Sequence, residues 1–266
     1  MPSRDRADYW AALCPELTIG QSSSQGPVPF SDADLERISE VFWEKGYLYL
    51  PPLLEREACR AIAQGMKALK SAGEPVPYIY LFDQPWQLFE RLRVLIRHFL
   101  GPDYAVLPNL WAWYLDQPGQ AGWPPHRDCS SETVFGAGAD QILMSLSLWV
   151  PLDQATEENG CMYVVPRQQE ALLQEPLTTD SLMPIATPLP ADAGAVLGWP
   201  QDLVHWGGQY GEGAENPRVS LSFEFQSSHF DPLAEPLLHT DQPPTFAERL
   251  SLIEQQFDKY RHIAGL

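Results

Sequence analysis

The sequence predicts an α+β chain, mainly β, in which N-terminal helices flank a jelly roll. Three observations point there. Helical spacing of apolar residues is confined to the part before Gly101 and to the C-terminal stretch. After Gly101 the texture changes to short β-rich runs separated by turn residues, the pattern of a closed or two-sheet β structure. Proline, at 26 of 266 residues, suits short strands and ordered loops better than long helices.

The elements follow in order. Residues 1–30 form an N-terminal extension of weak pattern, with a Ser/Gln/Gly/Pro loop over 20–29. Residues 31–100 are helical support. Ser31-Asp32-Ala33-Asp34 is a capping signal, and Leu35, Ile38, Val41 and Phe42 follow at helical spacing until Gly46 stops the helix. A strand over 47–50 ends at Pro51-Pro52. Further helices are expected over 55–69, closed by Gly73, and over 86–100, closed by Gly101-Pro102. The jelly-roll core spans 101–230, with strands at 104–107, 109–115, 141–152, 161–165, 195–199, 203–206 and 219–226. The C-terminal tail, 231–266, carries a terminal helix over 246–262. No internal repeat or long linker divides the chain, so 1–266 reads as one domain.

A net charge of −18, from 17 basic and 35 acidic residues, argues against nucleic acid and anionic membranes as partners, since both need basic patches. A small-molecule substrate is the remaining expectation, and the oligomeric state is not legible. No apolar run reaches the length of a membrane span. The four cysteines, Cys14, Cys59, Cys129 and Cys161, form no C-x-x-C pair, and residues 1–10 are charged rather than apolar. A reduced, cytoplasmic setting is expected.

The most informative motif is Pro125-His126-Arg127-Asp128-Cys129, with His205 and Arg218 downstream. Residues i and i+2 of an extended segment share a face, so His126 and Asp128 can point inward together while Arg127 turns away. His205 lies in a short apolar β run that can deliver a third ligand from a strand distant in sequence. Two imidazoles and one carboxylate suit Fe(II) and leave one face open. A fixed guanidinium such as Arg218 can clamp a carboxylate. An H-x-D triplet is common by chance, and His205 alone reads as an ordinary core histidine. A second triplet, His229-Phe230-Asp231, has too little chain after it for the remaining strands and no suitably placed third ligand, and reads as a surface loop. The order of the whole set favours the first triplet.

Several blocks then resemble one family. They are Gly46-Tyr47-Leu48-Tyr49-Leu50, Trp149-Val150-Pro151-Leu152-Asp153, Glu158-Asn159-Gly160-Cys161-Met162-Tyr163-Val164-Val165-Pro166, Ala193-Gly194-Ala195-Val196-Leu197 and Arg218-Val219-Ser220-Leu221-Ser222. In this order, over residues 31–226, they resemble the phytanoyl-CoA dioxygenase family of Fe(II)/2-oxoglutarate-dependent oxygenases. The resemblance implies a double-stranded β-helix, the cupin-like jelly roll. It implies Fe(II) on His126, Asp128 and His205, 2-oxoglutarate paired with Arg218, and O2 as co-reactant. Ser220 and Trp149 are implied as further cosubstrate contacts, with core packing an equal alternative for Trp149. The implied reaction releases succinate and CO2 and hydroxylates an unactivated C–H; because Asp128 is retained, halogenation is disfavoured. Desaturation and cyclisation stay open. The chain departs from the family at Arg167-Gln168-Gln169, where Gly-Ser-His is frequent, and at Ala195, where Asp is frequent.

Substrate contacts are expected from Trp123 and Arg127 at the entrance and from Arg167 at the altered rim. The segment 129–140, Ser- and Gly-rich, is a candidate lid with Phe135 its one large apolar residue. Tyr78-Ile79-Tyr80-Leu81-Phe82 is either a substrate wall, with Tyr80 the contact, or a buried strand. Two other functions are compatible with parts of the pattern. A cupin-type metal-dependent hydrolase or isomerase gives Arg218 no role. A non-catalytic jelly-roll binding module would not need the whole set.

Overall fold

The computed structural model describes residues 4–22, 25–239 and 243–260. The helices are α1 (Ala7–Leu13), α2 (Asp32–Lys45), α3 (Arg56–Ser71), α4 (Asp83–Glu90), α5 (Arg93–Leu100), α6 (Thr179–Leu182) and α7 (Phe246–Tyr260). The first strands are β1 (Leu48–Leu50), β2 (Tyr104–Val106), β3 (Trp111–Leu115), β4 (Val134–Phe135), β5 (Ile142–Leu143) and β6 (Ser145–Pro151). They are followed by β7 (Met162–Val164), β8 (Thr187–Leu189), β9 (Val196–Pro200), β10 (His205–Gly207), β11 (Arg218–Ser227) and β12 (Leu238–His239).

The strands make a major antiparallel sheet in the order β1-β9-β6-β11-β2-β12, a minor sheet β10-β7-β8 and the hairpin β4-β5. Strand β11 is the spine of the major sheet. One edge pairs with β6 over residues 220–226. The other edge is shared: β3 pairs with residues 218–222 and β2 with 225–227. The two sheets are not hydrogen-bonded into a closed barrel, so the jelly roll is an open one.

Alternation along β11 divides the molecule. Val219, Leu221, Phe223 and Phe225 belong to a core built with the helices, among them Phe42, Ile62, Met66, Phe89 and Ile96. A second cluster, with Trp149, Leu197 and Trp199 from the major sheet and Tyr163, Val164 and Trp206 from the minor one, lies between the sheets. The polar residues Arg218, Ser220, Glu224 and Gln226 occupy the opposite face of β11 and are nonetheless buried.

Local chemistry explains the element ends. Ser31 and Asp34 form a reciprocal capping box at the start of α2, and Gly46, at φ 83°, ends it in the left-handed conformation. The helix expected over 86–100 is two helices, α4 and α5. The carbonyl of Arg91 accepts from Val28 N at 2.8 Å instead of from the next helical turn, and the chain turns there. The extension before residue 31 is not merely loop: α1 buries Trp10 completely, with its ring 4.6 Å from that of Tyr78. The 78–82 segment is neither a strand nor a substrate wall. It is part of a buried 3₁₀ turn, Val76–Leu81, and Tyr80 lies behind the major sheet, its hydroxyl donating to the carbonyls of Trp111 and Ser222. Helix α7 ends at Tyr260 among the described residues, and the rest of the expected 246–262 helix lies outside them. All four cysteines are free, and no described helix is long and apolar enough to cross a membrane.

Phe223 is the keystone between β11 and the helices, with ring centroids 4.4 Å from Phe89, 5.0 Å from Tyr80 and 5.0 Å from Trp86. Phe223→Ala should cost about 3–5 kcal/mol in urea denaturation. A loss below about 1 kcal/mol would show that the helical layer is not seated on this ring.

Candidate metal centre

The two histidines are brought together by backbone pairing. His126 N donates to His205 O at 3.1 Å and His205 N to His126 O at 3.0 Å, an isolated antiparallel bridge. Residues opposed in such a pair project to the same side, and the ring centroids are 4.4 Å apart. Asp128, two residues on, joins them: its Oδ1 lies 3.3 Å from His126 Nε2 and 3.6 Å from His205 Nε2. One donor atom from each residue falls within 4.8 Å of the others. The backbone at Asp128 is at the surface, yet its side chain is only 15% exposed.

Orientation is set around the three. His126 Nδ1 lies 2.8 Å from Pro124 O and His205 Nδ1 2.9 Å from Leu203 O. A carbonyl only accepts, so both Nδ1 atoms carry the proton and both Nε2 atoms present lone pairs to the common point. Ser147 Oγ donates to Asp128 Oδ2 at 2.7 Å and leaves Oδ1 for that point. Burial pushes the Asp128 carboxyl up, but the two imidazoles and Ser147 outweigh it and hold it at about 2. Burial pulls His205 down to about 4. Burial pulls His126 down as well, but Asp128 outweighs it and raises this imidazole, and a divalent ion would displace any proton from its Nε2. Two imidazoles and one carboxylate so converged fit a divalent ion of the Fe(II) kind.

The triplet opens on a cleft of about 170 Å³ lined by aromatic rings, among them Trp111, Trp113, Trp123, Trp149 and Tyr260. Arg218 also lines it. Its side chain is 1% exposed and its Nη1 donates to Ser220 Oγ at 2.8 Å. Nε and Nη2 have no hydrogen-bond partner and no carboxylate pairs with the guanidinium among the described residues. Burial lowers its pKa to about 10, so it is a cation at neutral pH. The guanidinium carbon sits 5.9 Å from the Trp149 ring centroid and 6.0 Å from that of Trp113. Gly122 and Gly207 leave the room: a Cβ on either would come within 3.1–3.2 Å of Arg218 Nη2. A buried, aromatic-flanked cation with free N–H groups fits a bidentate carboxylate.

Of the residues expected at the site, His126, Asp128, His205, Arg218, Trp149 and Trp123 line one cleft, and Ser220 supports Arg218 from beneath. Four others do not line it. Tyr80 lies behind the sheet, as above. Phe135 is half-exposed on the β4-β5 hairpin and stacks on Phe230 at 5.5 Å. Arg127 and Arg167 both turn to Asp202. Arg127 Nε donates to the Asp202 carbonyl at 2.9 Å, and Arg167 pairs with the Asp202 carboxylate. The same carboxylate accepts from Thr133 Oγ1 at 3.0 Å, which ties down the root of the 129–140 segment. Asp202 therefore gathers the expected rim into a brace for the loop that leads to His205. The second triplet plays no part: His229 is exposed in a turn after β11.

Sequence reasoning missed Ser147, Ser222, Glu224, Asp202 and Tyr260. The first three carried a signal. Ser145-Leu146-Ser147-Leu148-Trp149 and Arg218 to Gln226 alternate polar with apolar in strands that are otherwise buried, which marks a polar interior.

Sequence comparison with curated proteins yields no match. Solved structures resemble the fold. The epimerase SnoN, in complex with Fe3+, α-ketoglutarate and nogalamycin RO, aligns at TM-score 0.51 and 19% identity over 74% of this chain and 85% of its own. HygX from Streptomyces hygroscopicus, with nickel and 2-oxoglutarate, aligns at TM-score 0.55 and 14% identity over 78% and 93%. The nickel complex of the non-heme monooxygenase ThoJ aligns at TM-score 0.55 and 14% identity over 85% and 97%. At these identities the likeness is one of fold. The phytanoyl-CoA dioxygenase family model matches residues 80–210, a span that contains His126, Asp128 and His205. Over residues 80–210 the chain is therefore similar to the phytanoyl-CoA dioxygenase family.

Proposed function

We propose that this protein is an Fe(II)- and 2-oxoglutarate-dependent oxygenase that hydroxylates an unactivated C–H of a small organic molecule. One observation carries the reading: a buried, unpaired Arg218 guanidinium shares a cleft with an open His/His/Asp triplet. The family match supports it, as do the α-ketoglutarate and 2-oxoglutarate held by the fold relatives SnoN and HygX. A cupin-type hydrolase or isomerase would use the triplet but leave Arg218 as a costly cation without a partner.

His126 Nε2, Asp128 Oδ1 and His205 Nε2 would hold the iron. With iron, 2-oxoglutarate and O2 bound, the site supplies an oxidation in which 2-oxoglutarate becomes succinate and CO2 and one oxygen atom passes to the substrate. Arg218 pairs with the distal carboxylate of 2-oxoglutarate, and Ser220 fixes the guanidinium so that little rotamer freedom is lost on pairing. The Trp113 and Trp149 rings keep water from that ion pair and so strengthen it. The buried Trp149 Nε1, without a partner among the described residues, offers a further N–H to the cosubstrate. Ser147 keeps Asp128 turned so that a single oxygen faces the metal. Asp128 fills the position that a halide would need, which favours hydroxylation.

Adding Fe(II) and 2-oxoglutarate under nitrogen should produce the visible charge-transfer band of the bidentate complex, and admitting oxygen should release succinate. Neither signal, with iron loading verified, would overturn the reading. Asp128→Ala should abolish both while leaving the far-UV circular dichroism intact. Ser147→Ala should weaken Fe(II) binding by about 10–100-fold in an anaerobic titration, the usual cost of removing a hydrogen bond that orients a ligand. An unchanged affinity would mean that Asp128 is positioned by its backbone alone.

A further inference from the structure

The end of the cleft remote from Arg218 holds a buried titratable group, Glu224, that the cosubstrate does not use. Glu224 lies six residues along β11 from Arg218, on the same face, roughly 20 Å away at about 3.3 Å per residue. Its side chain lines the cleft and the residue is 6% exposed. Asn109 Nδ2 and Gln201 Nε2 both donate to the same oxygen, Oε2, each at 2.7 Å. No salt bridge reaches Glu224 among the described residues, so Oε1 is the oxygen left to face a ligand.

The surroundings of Glu224 are aromatic. Trp111, Trp123 and Tyr260 line the same cleft and touch one another, with centroids 5.1 Å apart for Trp111–Trp123, 4.9 Å for Trp111–Tyr260 and 5.8 Å for Trp123–Tyr260. Trp123 continues towards the metal ligands, 6.2 Å from the His126 ring. Across the strand pair, Glu224 opposes Ser147, the residue bonded to Asp128, so this end of the cleft adjoins the metal point. Three aromatic rings set at steep angles to one another, lining the same cleft as a buried carboxyl group, make an environment suited to an organic cation. The charged groups around it are few. Burial, and then Asp128, push the Glu224 carboxyl up to about 8 against Asn109, Gln201 and Lys259, so on its own the group is largely protonated at neutral pH and a cation placed beside it favours the ionised form. Lys259 is exposed and lies 5.0 Å from the Tyr260 ring centroid. The overall charge of −18 attracts cations to the molecule.

We infer that the primary substrate is an organic cation, an alkylated or free amine, whose positive group is held by Glu224 Oε1 and the Trp111–Trp123–Tyr260 wall while an adjacent C–H faces the metal. This rests on the oxygenase reading and deepens it. Glu224 is a specificity residue on this account: one end of the cleft takes an anion on Arg218, and at the other a cation draws Glu224 into its ionised form.

The test uses the full chain loaded anaerobically with Fe(II) and 2-oxoglutarate, and two probes of the same shape. Choline carries the charge, and 3,3-dimethyl-1-butanol replaces its nitrogen by carbon. Quenching of tryptophan fluorescence gives the two affinities. Choline should bind at least about tenfold tighter than the alcohol, and Glu224→Gln and Trp123→Leu should each remove most of that preference. The charge-transfer band reports separately on the cosubstrate site. Its presence in Glu224→Gln verifies that the variant is folded and loaded, and its absence from the unaltered protein would be a failure of the oxygenase reading rather than of this one. With the band present, equal affinity for the two probes, binding of neither, or an undiminished preference in Glu224→Gln overturns the inference.

Discussion

The period-two alternation of β11 is the constraint on which the rest depends. Its odd positions, Val219 to Phe225, are seated in the helical core, and its even positions, Arg218 to Gln226, are thereby forced into the interior of the jelly roll. A strand paired on both edges cannot slip by one residue without putting four large apolar side chains into the cleft and a guanidinium into the core. Burying Phe223 among Tyr80, Trp86 and Phe89 therefore also fixes where Arg218 points. The stability of the helical layer and the polarity of the site are two sides of one register.

That register leaves a charge that the protein alone does not neutralise. A guanidinium at 1% exposure with one hydroxyl partner is unfavourable in isolation, because desolvation takes more than a neutral hydrogen bond returns. On the proposed function that cost is recovered when the anionic cosubstrate binds, to donors already aligned. The metal triplet follows the same logic with a different device. A two-bond backbone bridge sets the histidines side by side, carbonyls hold their Nδ1 atoms and Ser147 holds the carboxylate. The brace at Asp202, with Arg127, Arg167 and Thr133 converging on it, secures the chain just before His205.

Much of this is legible in the order of residues. The capping box at Ser31, the stop at Gly46, the β texture after Gly101, the first His/Asp triplet and its distant His205 and Arg218 are all local or order-based signals, and they correspond to what the fold contains. What escapes is whatever depends on a partner far away in sequence. Arg127 and Arg167 look like rim cations until Asp202 is seen between them. The helical pattern over 86–100 does not reveal that Val28 claims a carbonyl in its middle. Tyr80 looks like a ligand contact because its aromatic run cannot say which side of a sheet it lies on. Glu224 was readable from alternation, but only once β11 is known to be buried on both faces.

The central claim is that Arg218 exists to meet a distal carboxylate. Its most direct measurement compares 2-oxoglutarate with 2-oxobutanoate, which keeps the metal-chelating end and lacks that carboxylate, by anaerobic titration of the charge-transfer band. The account predicts a preference of at least about a hundredfold for 2-oxoglutarate, reduced to within a few-fold in Arg218→Met. Equal affinities in the unaltered protein, or a preference that survives Arg218→Met, would contradict it.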